Sequence, residues 1–148
     1  MRAIENAYTG RRRVVAEMRE LLARPYRALI SWGSLYDVSD EEEQERRKEQ
    51  VSRSLADLSN QYLPRSMWFE QETRKKVEAF MERAGQLFEE LARDVQTRGY
   101  ARARADIARR VTRELGPLRR EVEAGLGAEL AGSVESRWRE RLRRFSGR

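Results

Sequence analysis

The sequence predicts an all-α protein: an elongated antiparallel helical bundle of coiled-coil-like character, with three long helices and a bent or broken basic fourth. Three observations carry that prediction. There are only three prolines (Pro25, Pro64 and Pro117) in 148 residues. No stretch alternates apolar and polar residues for long, as a half-buried strand would. Apolar positions instead recur at steps of three and four, and with 39% apolar against 38% charged residues the chain is strongly ionic yet able to build a core.

The first helix is expected over residues 3–36. Ile4, Tyr8, Arg11, Val15, Met18, Leu22, Pro25, Leu29, Trp32 and Tyr36 follow one another at alternating steps of four and three. A second row, Val14, Leu21, Ala28 and Leu35, recurs every seven residues beside it. The resulting face is wide, and a wide face suits three or more packed helices better than a two-stranded coil. Pro25 removes one backbone hydrogen bond and should kink this helix.

The second helix is expected over 40–62. Ser39 with Glu42 has the spacing of a capping box, and Asp40 to Glu43 place negative charge at the helix start. Val51, Leu55, Leu58 and Tyr62 form its apolar row, while Glu41, Gln44 and Lys48 on the same face leave the first half with little to bury. Pairs such as Glu42–Arg46 and Glu43–Arg47 can support that half from the surface. The segment from Leu63 to Ser66 reads as a break, and a third helix is expected over 69–97, with Val77, Phe80, Ala84, Leu87 and Leu91 as its stripe. Tyr62-Leu63-Pro64 followed by Trp68-Phe69, Thr73, Val77, Phe80 and Leu87 resembles a helix–break–helix pattern of bacterial helical proteins, a resemblance that implies no activity. Residues 1–98 are thus read as the bundle and 99–148 as an Arg-rich helical segment. In that segment Gly99 reads as a cap or weak point, and Gly116-Pro117 as a stop. Gly125, Gly127 and Gly132 each lower helix stability there by about 1 kcal/mol relative to Ala.

Absent residues narrow the chemistry. With no cysteine and no histidine, the chain has no disulfide, thiolate nucleophile, Cys/His zinc site or Ser–His pair. Gly127 to Ser133 faintly resembles a phosphate loop but lacks the lysine after the second glycine. Gly125-Leu126-Gly127 lacks the third glycine of a dinucleotide turn. Carboxylate-bridged metal bundles need Glu-x-x-His pairs. No acid stands in the heptad seam before Asp94, which reads as a seam-edge residue bonded to Arg98. Paired carboxylates alone could run acid–base chemistry, but only in a loop-built cleft, and the connections here are about 3–6 residues. No enzymatic activity, cofactor, metal or small-molecule substrate is expected.

Charge is unevenly distributed. Residues 1–96 hold 17 basic and 18 acidic side chains; residues 97–148 hold 14, all Arg, against 7 acidic. Arg109, Arg110, Arg113, Arg119 and Arg120 form one basic cluster, and Arg137, Arg139, Arg143 and Arg144 another. The second surrounds an amphipathic row of Trp138, Leu142 and Phe145. That tail can pack on the bundle with Arg stems covering its rim, lie on anionic lipid, or bind nucleic-acid phosphates non-specifically. Because the second helix is too short to cover two wide stripes, a second copy or another helical protein is the expected partner, with nucleic acid or anionic lipid as the alternative. The expected role is that of a non-enzymatic interaction or scaffolding subunit, with Trp32, Tyr36, Trp68 and Phe69 as candidate interface anchors. The longest uncharged run, residues 28–36, is far short of the roughly 20 residues of a membrane span, so the expected location is the cytoplasm, with peripheral membrane association as the variant.

Overall fold

A computed structural model describes residues 2–146, with side chains for residues 9–132, 143 and 144. The described chain is all-helical: α1 (Arg2–Trp32), α2 (Glu41–Ser66), α3 (Gln71–Arg98) and α4 (Tyr100–Ser146). α1 lies against α2 on one side and α4 on the other, and α3 lies chiefly against α4. Ion pairs fix the directions. Arg11 meets Glu129 and Arg19 meets Glu123, so α4 runs opposite to α1. Arg65 meets Glu17, so α2 does too. Arg110 meets Glu90, and Thr73 donates to the Gly125 carbonyl, so α3 and α4 are also opposed.

One core runs through all four helices. Val15, Met18, Leu22, Leu29 and Trp32 of α1, Val51 and Leu58 of α2, Phe80, Leu87 and Leu91 of α3, and Ile107, Val111, Leu115 and Leu126 of α4 are buried together. Each large aliphatic or aromatic side chain so removed from water contributes about 1.5–3 kcal/mol. Trp32 stacks on Phe88 across the core, with centroids 5.7 Å apart. The apolar stripes of α1 and α3 are therefore largely covered by α4. The shortfall left by a short, half-polar α2 is met within the chain along the body of the fold.

Several boundaries differ from those the sequence suggests. α1 stops at Trp32 rather than residue 36. The expected capping box is displaced by one residue: Asp40 is the N-cap of α2 and accepts the Glu43 backbone N–H at 3.1 Å, while Ser39 bonds to Asp37. Nor does the Leu63–Ser66 segment break the helix. α2 continues through Pro64 to Ser66, because a proline in the last turn forfeits a single bond and leaves the rest of the ladder intact. α4 is likewise unbroken at Gly116-Pro117. Val111 and Leu115 before that dipeptide and Val122 and Leu126 after it lie on one buried face. Their combined burial outweighs the roughly 3 kcal/mol of an interior proline. The true reversal is Gly99, at φ 86°, a conformation only glycine adopts without strain. Its N–H closes α3 on the Val95 carbonyl, and its carbonyl opens α4 by accepting from Ala103.

Candidate interaction surfaces and the junctions that shape them

The end of α1 leaves carbonyl groups that no helical partner satisfies, and side chains from two other helices supply the donors. The Tyr100 hydroxyl donates to the Trp32 carbonyl and accepts the Leu35 backbone N–H at 3.3 Å. Arg104 donates to the Leu35 carbonyl at 2.6 Å, and Arg47 of α2 to the Ser31 carbonyl at 2.7 Å. Gly33 lets α4 come this close: a Cβ there would stand 2.9 Å from both the Ala108 backbone nitrogen and the Ile107 Cγ2. Arg47 also holds Glu43, which Arg46 grips as well. These hydrogen bonds lower the Glu43 carboxyl to about 2. Burial raises the Tyr100 phenol above its ordinary value, so it stays a donor across the neutral range.

At the opposite end Glu129 of α4 is buried. Glu70, the N-cap of α3, makes no side-chain cap bond; instead its backbone N–H donates to the Glu129 carboxylate at 2.6 Å. Arg11 of α1 approaches the same carboxylate at 3.5 Å. Beside it lies an open cleft of about 360 Å³ bordered by Thr73, Lys76 and Gly125. A buried carboxylate at a helix start offsets the positive end of the helix dipole, so Glu129 ties α1, α3 and α4 together beside the cleft.

Between the two ends α3 and α4 share an ionic ring. Arg83 bonds to Glu114 and Glu90, and Arg110 bonds to both at 2.7 Å. Burial alone would raise Glu114, but hydrogen bonds from Arg110 and Arg83 outweigh it and bring it down. Glu90 is lowered chiefly by its hydrogen bond from Arg110. Arg98 bonds Asp94 through two nitrogens at 2.7 and 2.6 Å and also reaches Asp106, lowering both acids. Each carboxylate here faces guanidinium groups and none is poised as a base. Among the described residues no three acids converge to hold a metal ion.

The four candidate anchors do not form one surface. Trp32 and Phe69 are buried in the core, whereas Tyr36 is 98% and Trp68 37% exposed, at opposite ends of the molecule. Tyr36 is exposed because α1 has already ended. Of the first basic cluster, Arg110 is committed to the ionic ring, Arg109 pairs with Asp106 at 2.5 Å, and Arg119 lies 4.7 Å above the Tyr26 ring. Arg113 and Arg120 are exposed, as are Arg143 and Arg144 in the tail. The side chains of Arg137, Arg139, Trp138, Leu142 and Phe145 lie outside the described residues. Sequence reasoning missed Gly33, Tyr100, Arg104 and Glu129. The first three act only because α4 returns past the end of α1; the last was one acid among many on a helix read as discontinuous.

Apolar exposure is concentrated elsewhere, at the turn between α2 and α3. Leu63 and Met67, one helical turn apart, are 73% and 85% exposed, and Trp68 adjoins them. No helix among the described residues is long and apolar enough to cross a membrane. No protein-family model, curated protein or solved structure matches the chain.

Proposed function

We propose that the chain is a non-enzymatic helical interaction or scaffolding subunit, an elongated antiparallel bundle of coiled-coil-like character that oligomerises or joins a larger assembly. One observation carries this reading. α4 meets the start of α3 at Glu129 yet continues as helix to Ser146, about 25 Å further. There it has passed the start of α3 and the end of α2. A helix prolonged past its neighbours gains stability from an added partner, since isolated helical segments are marginal in water. The exposed Leu63, Met67 and Trp68 at the foot of this extension add an apolar surface of the kind partners cover.

The alternative, a basic protein binding nucleic acid through its Arg-rich final third, draws less support, because Arg109, Arg110 and Arg119 are engaged within the chain. Size-exclusion chromatography with light scattering, on protein purified without nuclease, tests the choice. A dimer or larger species free of nucleic acid, stable to added salt, is expected. Co-purifying nucleic acid that salt removes would favour the alternative, and a strict monomer would overturn self-assembly.

A further inference from the structure

The fold sorts charge in a way the linear sequence hides. Among the described side chains at the end bearing the α2–α3 turn (residues 9–17, 58–80, 122–132, 143 and 144), 9 are basic and 6 acidic. A basic excess therefore sits at the end where Leu63, Met67 and Trp68 are exposed. Arg74, Lys75 and Lys76 stand in the first turns of α3 there, and Arg143 and Arg144 are exposed near the end of α4. At the opposite tip the start of α2 carries Asp37, Asp40 and Glu41 to Glu43, but Arg46, Arg47 and Arg104 stand beside them. The basic excess thus lies at the α2–α3 end, while basic and acidic groups are balanced around the opposite tip, residues 33–48 and 93–105.

We propose that the α2–α3 end docks on the surface of an anionic phospholipid bilayer, with Leu63, Met67 and Trp68 entering the interface and the start of α2 directed away. Each observation has a part. Leu63 and Met67 are long, flexible and solvated, and neither aliphatic side chain has a use on a phosphate track of nucleic acid. Trp68 rests its ring against α1, where a Cβ at Gly10 would stand 2.9 Å from the indole, and keeps an exposed remainder. An aromatic so placed suits the boundary between headgroup and acyl chain. The basic excess draws this end toward anionic headgroups, and apolar insertion then holds it. The inference does not depend on self-assembly, and light scattering without lipid tests the two separately.

The absence of cysteine allows a direct test. Leu63→Cys and Glu42→Cys, each in the full chain, are labelled with an environment-sensitive fluorophore and titrated with two vesicle types, phosphatidylcholine alone and phosphatidylcholine mixed with phosphatidylglycerol. The label at position 63 should brighten and shift to the blue only with the anionic vesicles, while the label at 42 stays in water. Unlabelled Leu63→Asp/Met67→Asp, altered at exposed positions and checked for an unchanged melting temperature, should partition into anionic vesicles at least about tenfold more weakly. No partition of the parent chain at low salt overturns the proposal. So does a double variant that binds as the parent does, which would reduce the contact to charge alone. Binding to a DNA duplex without binding to anionic vesicles would assign the basic end to nucleic acid instead.

Discussion

Two buried tyrosines differ in one respect, and that difference makes a sharp test of how the helices are joined. The Tyr100 hydroxyl serves the Trp32 carbonyl and the Leu35 N–H, whereas the buried Tyr62 hydroxyl has no hydrogen-bond partner among the described residues. Replacing Tyr100 with Phe keeps the ring but leaves two buried backbone groups unmet at the end of α1. At about 1–3 kcal/mol for a buried group left unsatisfied, and with the Leu35 contact a long one, the expected loss is about 2 kcal/mol. For a chain of this length that lowers the melting temperature by roughly 4–8 °C. Tyr62→Phe removes a polar atom already stripped of water, so its effect should lie between zero and a gain of about 1 kcal/mol. Urea unfolding followed by far-UV circular dichroism gives both values. The pair also separates at high pH. Burial first, and the nearby Glu78 charge second, push the Tyr62 phenol up to about 12. A phenol harder to ionise in the folded state adds stability below the unfolded value near 10. That stability is lost as pH rises from there through the folded value. Tyr62→Phe should therefore flatten part of the alkaline loss between about pH 10 and 12. Equal costs for the two substitutions at neutral pH would refute the assignment of Tyr100 as the clamp on α1.

The other predictions address separate joints of the fold. Gly33→Ala should cost about 1–3 kcal/mol, since its Cβ would meet the Ala108 backbone rather than a movable side-chain tip; a cost within 0.5 kcal/mol by urea unfolding would mean that α1 and α4 can separate there without loss. Phe80→Ala, at a site with no solvent exposure, should cost about 3–5 kcal/mol, whereas Leu63→Ala should stay within about 0.5 kcal/mol; the same titration reads both. Glu43 is depressed to about 2 by hydrogen bonds from Arg46 and Arg47. Its share of stability is present above the ordinary carboxylate value and is lost as pH falls from about 4.5 toward 2, so Glu43→Gln should show a shallower acid decline in melting temperature. Glu129→Ala should destabilise by about 1–3 kcal/mol, leaving the Glu70 N–H without its acceptor. It should also speed amide hydrogen exchange in the first turns of α3 relative to the Gly99 end, and uniform exchange along α3 would count against that role.

The helices themselves were legible from pattern because each buries a stripe along its own length. The rows Val15 to Trp32 and Val77 to Leu91 can be found without knowing what covers them, and they lie in the core. What resisted reading was anything set by a neighbour distant in sequence. Tyr36 continues the spacing of α1 faultlessly and yet is exposed, because Gly33 and the side chains of Tyr100, Arg104 and Arg47 end the helix one turn earlier. Trp32 and Phe69 had the composition of interface anchors, but an aromatic at a helix end serves a core as readily as a partner, and the sequence alone does not separate the two.

The misread dipeptide Gly116-Pro117 has the largest consequence. Local propensity at those two residues argues for a stop, and in a short helix it would prevail. Here Val111, Leu115, Val122 and Leu126 bind both sides of the dipeptide to the same core, so breaking the helix would forfeit packing along the whole of α4. Once α4 is continuous, the Arg-rich final third ceases to be a detached tail. Its first half becomes the helix that closes the stripes of α1 and α3, and Arg109 and Arg110 there pair with Asp106, Glu90 and Glu114. The same continuity, by which α4 covers the stripes of α1 and α3 within the chain, directs the search for a partner to the end where α4 outruns α2 and α3.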